Sequence, residues 1–111
     1  MHYIPKLNLT RIFYWIGFTM VAEKKECDGA EIEYGYNETI ASVEECANKC
    51  RKSSSMFAFG TNDFGNPRCI KGGVCKCICE TSATKQGSCN QIDHKGYRLY
   101  RFRPGMLFLR H

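Results

Sequence analysis

The chain has 111 residues, eight of which are cysteine, and a formal net charge of +5 at pH 7. This length fits a single domain, too small to rely on a hydrophobic core alone. Such a cysteine content in a short chain is typical of a disulfide framework formed in an oxidising compartment, and it argues against a reduced cytosolic protein. The even number of cysteines predicts that every thiol is paired.

The first 22 residues have the layout of a secretory signal peptide. Residues 1–11 contain two basic residues and no acidic residue, and an apolar run covers residues 12–22. A polar stretch then starts at Glu23. Ala22 is the residue expected before the cleavage site. The run is too short to span a bilayer, which requires roughly 20 residues. We therefore predict a secreted, extracellular protein without a stable membrane span; an interfacial anchor and an ordinary buried segment are the alternatives for residues 1–22.

A short strand follows the first cysteine. After Cys27 and the turn pair Asp28-Gly29, apolar and polar residues alternate over residues 32–36, which is typical of a half-buried strand. Asn37 begins the tripeptide Asn-Glu-Thr, the acceptor sequence for N-glycosylation in secreted proteins. The sequence therefore predicts a glycoprotein with Asn37 as the candidate attachment site.

A helix is predicted to begin at Val43 and to end near Arg51. Ser42 and Glu45 form a capping box, in which the serine hydroxyl and the glutamate carboxylate each satisfy a free N–H group of the first turn. Residues at positions i, i+3, i+4 and i+7 then form one apolar stripe. The stripe consists of Val43, Cys46, Ala47 and Cys50. Both helix thiols therefore face the core.

Three further cysteines share one face of a predicted strand. Cys75, Cys77 and Cys79 alternate with Lys76 and Ile78, so neighbouring thiols are spaced by roughly 6.5 to 7 Å. The two helix thiols are roughly 5 to 6 Å apart. Because the two spacings match, we predict that the helix lies across the strand and is stapled to it by two disulfides.

A tight hairpin is predicted around Gly72 and Gly73, which both tolerate positive φ. It brings Cys69 opposite Cys75, close enough for a disulfide. Cysteines at the two ends of the strand over residues 75–79 are roughly 13 Å apart and cannot bond to each other. The hairpin therefore predicts a bridge between Cys69 and Cys75.

The remaining cysteines complete the predicted map. The two helix cysteines pair with the last two cysteines of the strand, in either order. Cys27 is then left with Cys89, which joins the first strand to the beginning of the last. A pairing of Cys50 with Cys69 stays open as an alternative.

Between and after these elements lie one more strand and two loops. The apolar run over residues 56–60 predicts a buried central strand. Residues 61–68 are rich in Asn, Asp, Gly and Pro, and residues 80–88 in Ser and Thr, so both segments are predicted to be surface loops. Loops of this kind often carry recognition.

The last predicted strand covers residues 96–103 and is rich in aromatic and basic residues. Its faces carry Tyr97, Leu99 and Arg101 on one side and Arg98, Tyr100 and Phe102 on the other. Pro104-Gly105 is predicted to end the strand, and residues 105–111 to form a C-terminal tail. Five basic residues and no acidic residue follow from Lys95 onward. This basic edge could bind sulfated glycans or acidic surfaces, but the sequence favours the simpler explanation of a solvated terminus.

Residues 27–102 resemble a PAN/apple domain. The resemblance rests on the early Cys27, the Cys-x3-Cys helix over residues 43–50, the following strand Met56-Phe-Ala-Phe and the later cysteine-bearing strand. It implies an α+β fold in which a small antiparallel sheet wraps around one helix, stapled by disulfides. It also implies an extracellular module that binds proteins or carbohydrates without catalysis. The domain is expected to span residues 23–104.

Metal binding is the main competing interpretation of the Cys-x-Cys pattern at residues 75–79. Structural zinc sites more often combine two pairs with Cys-x2-Cys to Cys-x4-Cys spacing or add histidines, and His2, His94 and His111 stand in no such spacing. Paired cysteines leave no thiol nucleophile, and no glycine-rich loop leads from a strand into a helix to hold a nucleotide. We therefore predict no enzyme activity, no metal, no cofactor and no nucleic-acid partner.

Three functional hypotheses follow. The first is a secreted, non-catalytic module that binds an extracellular carbohydrate or protein through residues 61–68 and 80–96, with Arg98, Tyr100 and Arg101 as candidate ligand contacts. Aromatic faces suit sugar rings, and arginine suits sulfate or carboxylate. The second is a secreted cysteine-rich effector, such as a toxin or defence peptide, whose basic and apolar tail acts at membranes. The third is a structural matrix component.

Overall fold

The fold is described by a computed structural model, which covers the backbone of residues 11–108 and the side chains of residues 17–103. Within this range it contains one α-helix and one antiparallel sheet of five strands, in the order β1-β5-β3-β4-β2. Two short 3-10 turns span Tyr36–Glu38 and Lys71–Gly73. The elements are β1 (Arg11–Cys27), β2 (Ile32–Tyr34), α1 (Val43–Cys50), β3 (Met56–Gly60), β4 (Cys77–Cys79) and β5 (Gln91–Phe108). The predicted α+β class, with one helix on a small antiparallel sheet, is confirmed.

The helix begins where the capping box predicts. Ser42 Oγ accepts a hydrogen bond from the backbone N–H of Glu45 at 3.1 Å, and the Glu45 carboxylate accepts one from the N–H of Ala41 at 2.7 Å. Two free donors of the first turn region are satisfied in this way. The predicted stripe is buried against β3 and β4, and its cysteines are completely inaccessible.

Four disulfides staple the fold, and the predicted map is confirmed. They join Cys46 to Cys77, Cys50 to Cys79, Cys27 to Cys89 and Cys69 to Cys75. All eight cysteines lie in the described part of the chain and none of them is free. The alternative bridge from Cys50 to Cys69 is therefore excluded. Four disulfides are characteristic of an extracellular or otherwise oxidising environment.

The sheet is buried on both faces. Under the helix, Phe57 and Phe102 pack with the two helix disulfides. On the opposite face, Met56, Leu99 and Tyr97 form a second cluster, covered in part by residues of the segment between β4 and β5. Because both faces of the sheet are covered, β3 consists of consecutive apolar residues. It is the central strand of the sheet, so the prediction of a buried central strand over residues 56–60 is confirmed.

The N-terminal strand uses residues that the sequence suggests for a signal peptide. β1 pairs with β5 along its length, and the Phe18 ring lies edge-on to Phe57 at 5.4 Å and to Tyr100 at 5.7 Å. Val21 and Ala22 pack against the second core cluster. Residues 17–22 thus pack against the core of the domain. Removal of residues 1–22 as a signal peptide stays a prediction.

The last strand is longer than predicted. β5 runs through Pro104 and Gly105 to Phe108, paired with the beginning of β1, so the prediction that these two residues end the strand is wrong. Beyond Arg101, β5 no longer pairs with β3, and a β-bulge lies opposite Pro104 near Trp15. Proline is tolerated in strands at such edges and bulges. Residues 1–10 and 109–111, with His2, His111 and parts of the predicted signal peptide and tail, lie outside the described residues.

In the part of the chain that the structure describes, no helix combines the length and apolar character needed to cross a membrane.

Candidate functional site

A polar cleft lies between the segment that follows α1 and the segment that follows β4. Its volume is about 400 Å³. Its described lining residues are Lys52, Ser53, Ser54, Ser55, Thr81, Ala83, Thr84 and Lys85. Seven of these eight residues carry a hydroxyl or an ammonium group, and none is acidic. The cleft therefore favours ligands that are polar or negatively charged.

Cys50 and Cys79 hold the two walls of the cleft together. Their disulfide joins the last residue of α1 to the last residue of β4, and one wall of the cleft begins two residues after each cysteine. The Ser55 hydroxyl also donates a hydrogen bond to the Thr84 carbonyl. The walls are thus fixed to each other by a covalent bond and by a hydrogen bond.

Two serine hydroxyls of one wall donate hydrogen bonds within the protein. Ser53 Oγ and Ser54 Oγ donate to the Cys50 carbonyl oxygen, at 3.2 Å and 3.4 Å. The backbone N–H groups of the same two serines donate to that oxygen at 2.9 Å and 3.1 Å. A hydroxyl that has used its proton still carries lone pairs. These side chains can therefore accept hydrogen bonds from a ligand.

The opposite wall is a short closed loop. Thr84 N–H donates to the Ser88 carbonyl at 2.8 Å, and Gly87 N–H donates to the Thr84 carbonyl at 2.9 Å. The two side-chain hydroxyls of Thr84 and Ser88 are 2.9 Å apart. Gly87 has φ +85°, a left-handed conformation that favours glycine. The loop thus presents Lys85 from a backbone held at both ends.

The cations of the cleft have no acidic partner. Lys52 and Lys85 are exposed, and neither forms an ion pair with any residue whose side chain is described. The exposed Arg101 lies against the loop that carries Lys85, because a Cβ atom added to Gly87 would stand 2.5 Å from Arg101 Cδ. Arg101 is likewise without an ion pair among the described side chains. Two positive charges therefore line the cleft, and a third lies against the loop that carries Lys85.

Arg98, the first predicted ligand contact, is engaged within the protein. Its guanidinium donates to Asp63 Oδ2 at 2.6 Å and to Glu23 Oε2 at 3.2 Å. It also donates to Thr61 Oγ1 at 3.2 Å and lies 5.0 Å above the Phe64 ring. The hydrogen bond with Asp63 raises the pKa of Arg98 and holds the pKa of that carboxyl below its usual range. The contacts fasten residues 61–68 to the sheet.

Tyr100, the second predicted contact, belongs to the core under the helix. Its ring stacks on Phe57 at 5.0 Å with an interplanar angle of 10°. Burial raises the pKa of its hydroxyl. The three predicted contacts therefore occupy three different surroundings, and of the three Arg101 lies against the loop that carries Lys85.

A buried carboxyl group lies directly beside the cleft. The Glu80 side chain is 0% exposed, and its Oε2 accepts a hydrogen bond from the Cys27 N–H at 2.8 Å. Its Oε1 has no hydrogen-bond partner in the described part of the protein. Burial raises the pKa of Glu80 to about 8. Burial thus favours the uncharged form of this carboxyl.

A second cleft, of about 320 Å³, lies beside the predicted glycosylation site. It is lined by Glu38, Thr39, Ile40, Glu45, Asn48 and Lys49. Asn37 itself is exposed in the 3-10 turn, so its amide is accessible for glycan attachment, which stays a prediction. Two carboxylates and one ammonium line this cleft, which gives it a mixed charge.

Three sulfur atoms near the helix have the proximity of metal ligands. The Sγ atoms of Cys46, Cys50 and Cys77 lie within 4.8 Å of one another. Each of these atoms is bonded in a disulfide. A disulfide sulfur is not the thiolate that binds zinc, so the geometry here reflects two adjacent bridges.

Sequence reasoning missed the cleft although a signal was present. The stretches Lys-Ser-Ser-Ser at residues 52–55 and Thr-Ser-Ala-Thr-Lys at residues 81–85 lie far apart in the chain. Each begins two residues after a cysteine, at Cys50 and at Cys79, and these two cysteines were among the predicted partners. A disulfide between them places the two hydroxyl-rich stretches side by side.

No protein family, no curated protein and no solved structure matches this chain.

Proposed function

We propose that this protein is a secreted, non-catalytic binding module that recognises an extracellular carbohydrate or protein through the cleft between residues 52–55 and 81–85. The observation that carries the proposal is the pair Lys52 and Lys85, two cations without an acidic partner among the described side chains, set in a hydroxyl-lined cleft. An anionic group placed there gains charge-assisted hydrogen bonds.

The scaffold supports an extracellular role. Four disulfides fix a domain of this size against unfolding outside the cell. The resemblance to PAN/apple domains points to the same class of module. A rigid site also favours binding, since little conformational entropy is lost when a ligand enters a cleft whose walls are already joined.

The chemistry of the cleft supports binding over catalysis. No histidine, aspartate or glutamate is among its described lining residues, so the cleft offers neither a general base nor a general acid of ordinary kind. The hydroxyls of Ser53 and Ser54 donate to a backbone carbonyl, and a serine nucleophile instead donates to a base. All eight cysteines are bonded, which removes a thiol nucleophile.

The test is a binding panel of immobilised extracellular glycans and matrix proteins. Wild-type protein is compared with the double variant K52A/K85A and with the control K71A/K95A, which removes the same charge from two exposed lysines outside the cleft. We expect retention that falls with added salt, is weakened at least tenfold in K52A/K85A and is nearly unchanged in the control. Equal losses in both variants, or no retention of wild-type protein by any panel member, would contradict the proposal.

A membrane-acting effector is the second candidate, and one observation favours it. Beyond the last pairing with β3 at Arg101, β1 and β5 continue together as a two-stranded ribbon to Arg11 and Phe108. The sequence of both ribbon strands is mostly apolar. Release of dye from anionic lipid vesicles by the purified protein, with no retention on the binding panel, would favour this function over the first.

A further inference from the structure

The cleft makes a specific demand on the hydrogen-bonding groups of its ligand. Ser53 Oγ and Ser54 Oγ donate to the same carbonyl oxygen of Cys50, and Ser55 Oγ donates to the Thr84 carbonyl. The lone pairs of these hydroxyls can accept further hydrogen bonds. A ligand that brings hydrogen-bond donors therefore binds this wall without breaking the existing bonds.

The positive charges near the cleft favour hydrogen-bond acceptors on the ligand. Lys52, Lys85 and Arg101 are donors without acidic partners among the described side chains. They require acceptors that carry negative charge. A ligand that suits this cleft therefore combines neutral donors with an anionic group.

Building on the proposed function, we infer that the ligand of this cleft is an acidic carbohydrate, whose hydroxyl groups donate to Ser53 and Ser54 and whose carboxylate or sulfate group binds Lys52 and Lys85. The inference rests on the proposed function and narrows it from carbohydrate or protein to one class. A sugar ring is the common biological group that carries several hydroxyl donors next to an anion.

The hydrogen-bonding groups of the serine wall favour a sugar over an acidic peptide. The ring hydroxyls of a sugar can donate to Ser53 Oγ and Ser54 Oγ while both serines keep their bonds to the Cys50 carbonyl. The acidic side chains of a peptide supply acceptors in place of donors.

Arg101 extends the cationic wall beyond the two lysines. Its aliphatic stem crosses Gly87, where an added Cβ atom would approach Arg101 Cγ to 2.7 Å. The side chain therefore lies against the same loop that carries Lys85. A third cation beside this loop suits an oligosaccharide with more than one acidic ring.

The experiment measures the affinity of the full chain for four probes by isothermal titration calorimetry. The probes are a sulfated heparin tetrasaccharide, an unsulfated oligogalacturonate of equal length, a neutral dextran oligomer and a glutamate oligopeptide of matched charge. We expect at least one acidic oligosaccharide to bind about tenfold or more tightly than both the neutral oligomer and the oligopeptide. Comparison of the sulfated and the unsulfated probe identifies which anion the lysines select.

The variant S53A/S54A tests the role of the acceptors. We expect it to weaken binding of the preferred acidic oligosaccharide by about tenfold and to leave binding of the oligopeptide unchanged, because the peptide does not use these hydroxyls. Circular dichroism and a peptide map under non-reducing conditions check that the variant keeps the native fold and bridges. The comparison of the four probes on wild-type protein requires no variant and stands if the double variant fails to fold.

Several outcomes would overturn the inference. These are equal binding of the oligopeptide, equal binding of the neutral oligomer, and unchanged binding of the preferred oligosaccharide to folded S53A/S54A. None of these outcomes contradicts the proposed function if wild-type protein is retained by a panel protein and K52A/K85A is not. The proposed function is contradicted by a different result, namely equal retention of K52A/K85A and K71A/K95A by every panel member.

Discussion

Cys50 and Cys79 form a disulfide that joins the end of the helix to the end of β4, with Cα atoms 5.1 Å apart. Because a hydroxyl-rich stretch with one lysine begins two residues after each cysteine, the bridge also assembles the candidate binding cleft. A crosslink that stabilises the fold therefore also positions Lys52 and Lys85. Stability and ligand binding are expected to change together when this bridge is removed.

The first prediction concerns this bridge. The variant C50A/C79A opens a link between residues separated by 29 positions, and we expect a loss of about 3 to 4 kcal/mol in the free energy of unfolding from the entropy of the unfolded chain. The control C69A/C75A opens a link of only 6 positions and is expected to lose about 2 kcal/mol. Urea denaturation measures both losses.

Ligand binding separates the same two variants. The cleft loses its covalent clamp in C50A/C79A and keeps it in C69A/C75A, so only the first variant is expected to bind the preferred panel member more weakly. Equal binding by both folded variants would show that the bridge does not position the cleft.

The second prediction is a dependence of stability on pH that arises from Glu80. Burial of this side chain, with Oε1 unpaired among the described residues, raises its pKa from the ordinary 4.5 to about 8. Between these values the folded state retains a proton that the unfolded state has released. The contribution of this group to stability is therefore complete below pH 4.5 and is lost progressively as pH rises through about 8.

The variant E80Q provides the test for Glu80. Glutamine keeps the shape of the side chain and an acceptor for the Cys27 N–H, but it does not titrate. We expect midpoints of thermal unfolding, measured from pH 4 to 9, to fall less steeply with rising pH in E80Q than in wild-type protein. Parallel pH profiles in the two proteins would rule out Glu80 as the source. Glu26 and Glu31 also contribute, since each raises the pKa of Glu80 by charge repulsion.

Cysteine positions made much of the fold predictable from the sequence. Spacing on a helix and on a strand each follows from backbone geometry, so the stripe with Cys46 and Cys50 could be matched to the strand with Cys77 and Cys79. The order of those two bridges required the structure, because the register of the helix across the strand is a tertiary property. It places Cys46 with Cys77 and Cys50 with Cys79.

Other features had no local signal. Glu80 follows a cysteine-rich strand and precedes a polar loop, so its sequence context suggests exposure, yet it is fully buried. The engagement of Arg98 by Glu23 and Asp63 joins residues far apart in the chain. An apolar run such as residues 12–22 fits both a signal peptide and a strand, and composition alone does not separate the two.

The third prediction concerns this N-terminal strand. Phe18 is half-buried against Phe57 and Tyr100, and we expect F18A to lower the free energy of unfolding by about 2 kcal/mol through loss of apolar burial. Met20 lies on the same strand and is 48% exposed, so M20A is the matched control and is expected to lose less than about 1 kcal/mol. Chemical denaturation of chains that retain residues 17–22 provides the measurement. Equal effects of the two substitutions would show that the Phe18 contacts do not stabilise the domain.

The fourth prediction separates Arg98 from Arg101, which the sequence suggests equally as ligand contacts. Arg98 fastens residues 61–68 through Asp63 and Thr61, and Arg101 lies exposed beside the cleft. We expect R98A to speed hydrogen exchange in residues 61–68 and to leave ligand binding nearly unchanged. R101A is expected to weaken binding of an anionic ligand several-fold, since one charge-assisted contact is lost, without faster exchange in that loop.

Because both variants remove one positive charge from β5, a general effect of net charge would weaken binding equally in the two. Weaker binding in R98A than in R101A would instead place the binding site at the loop over residues 61–68 and remove Arg101 from it.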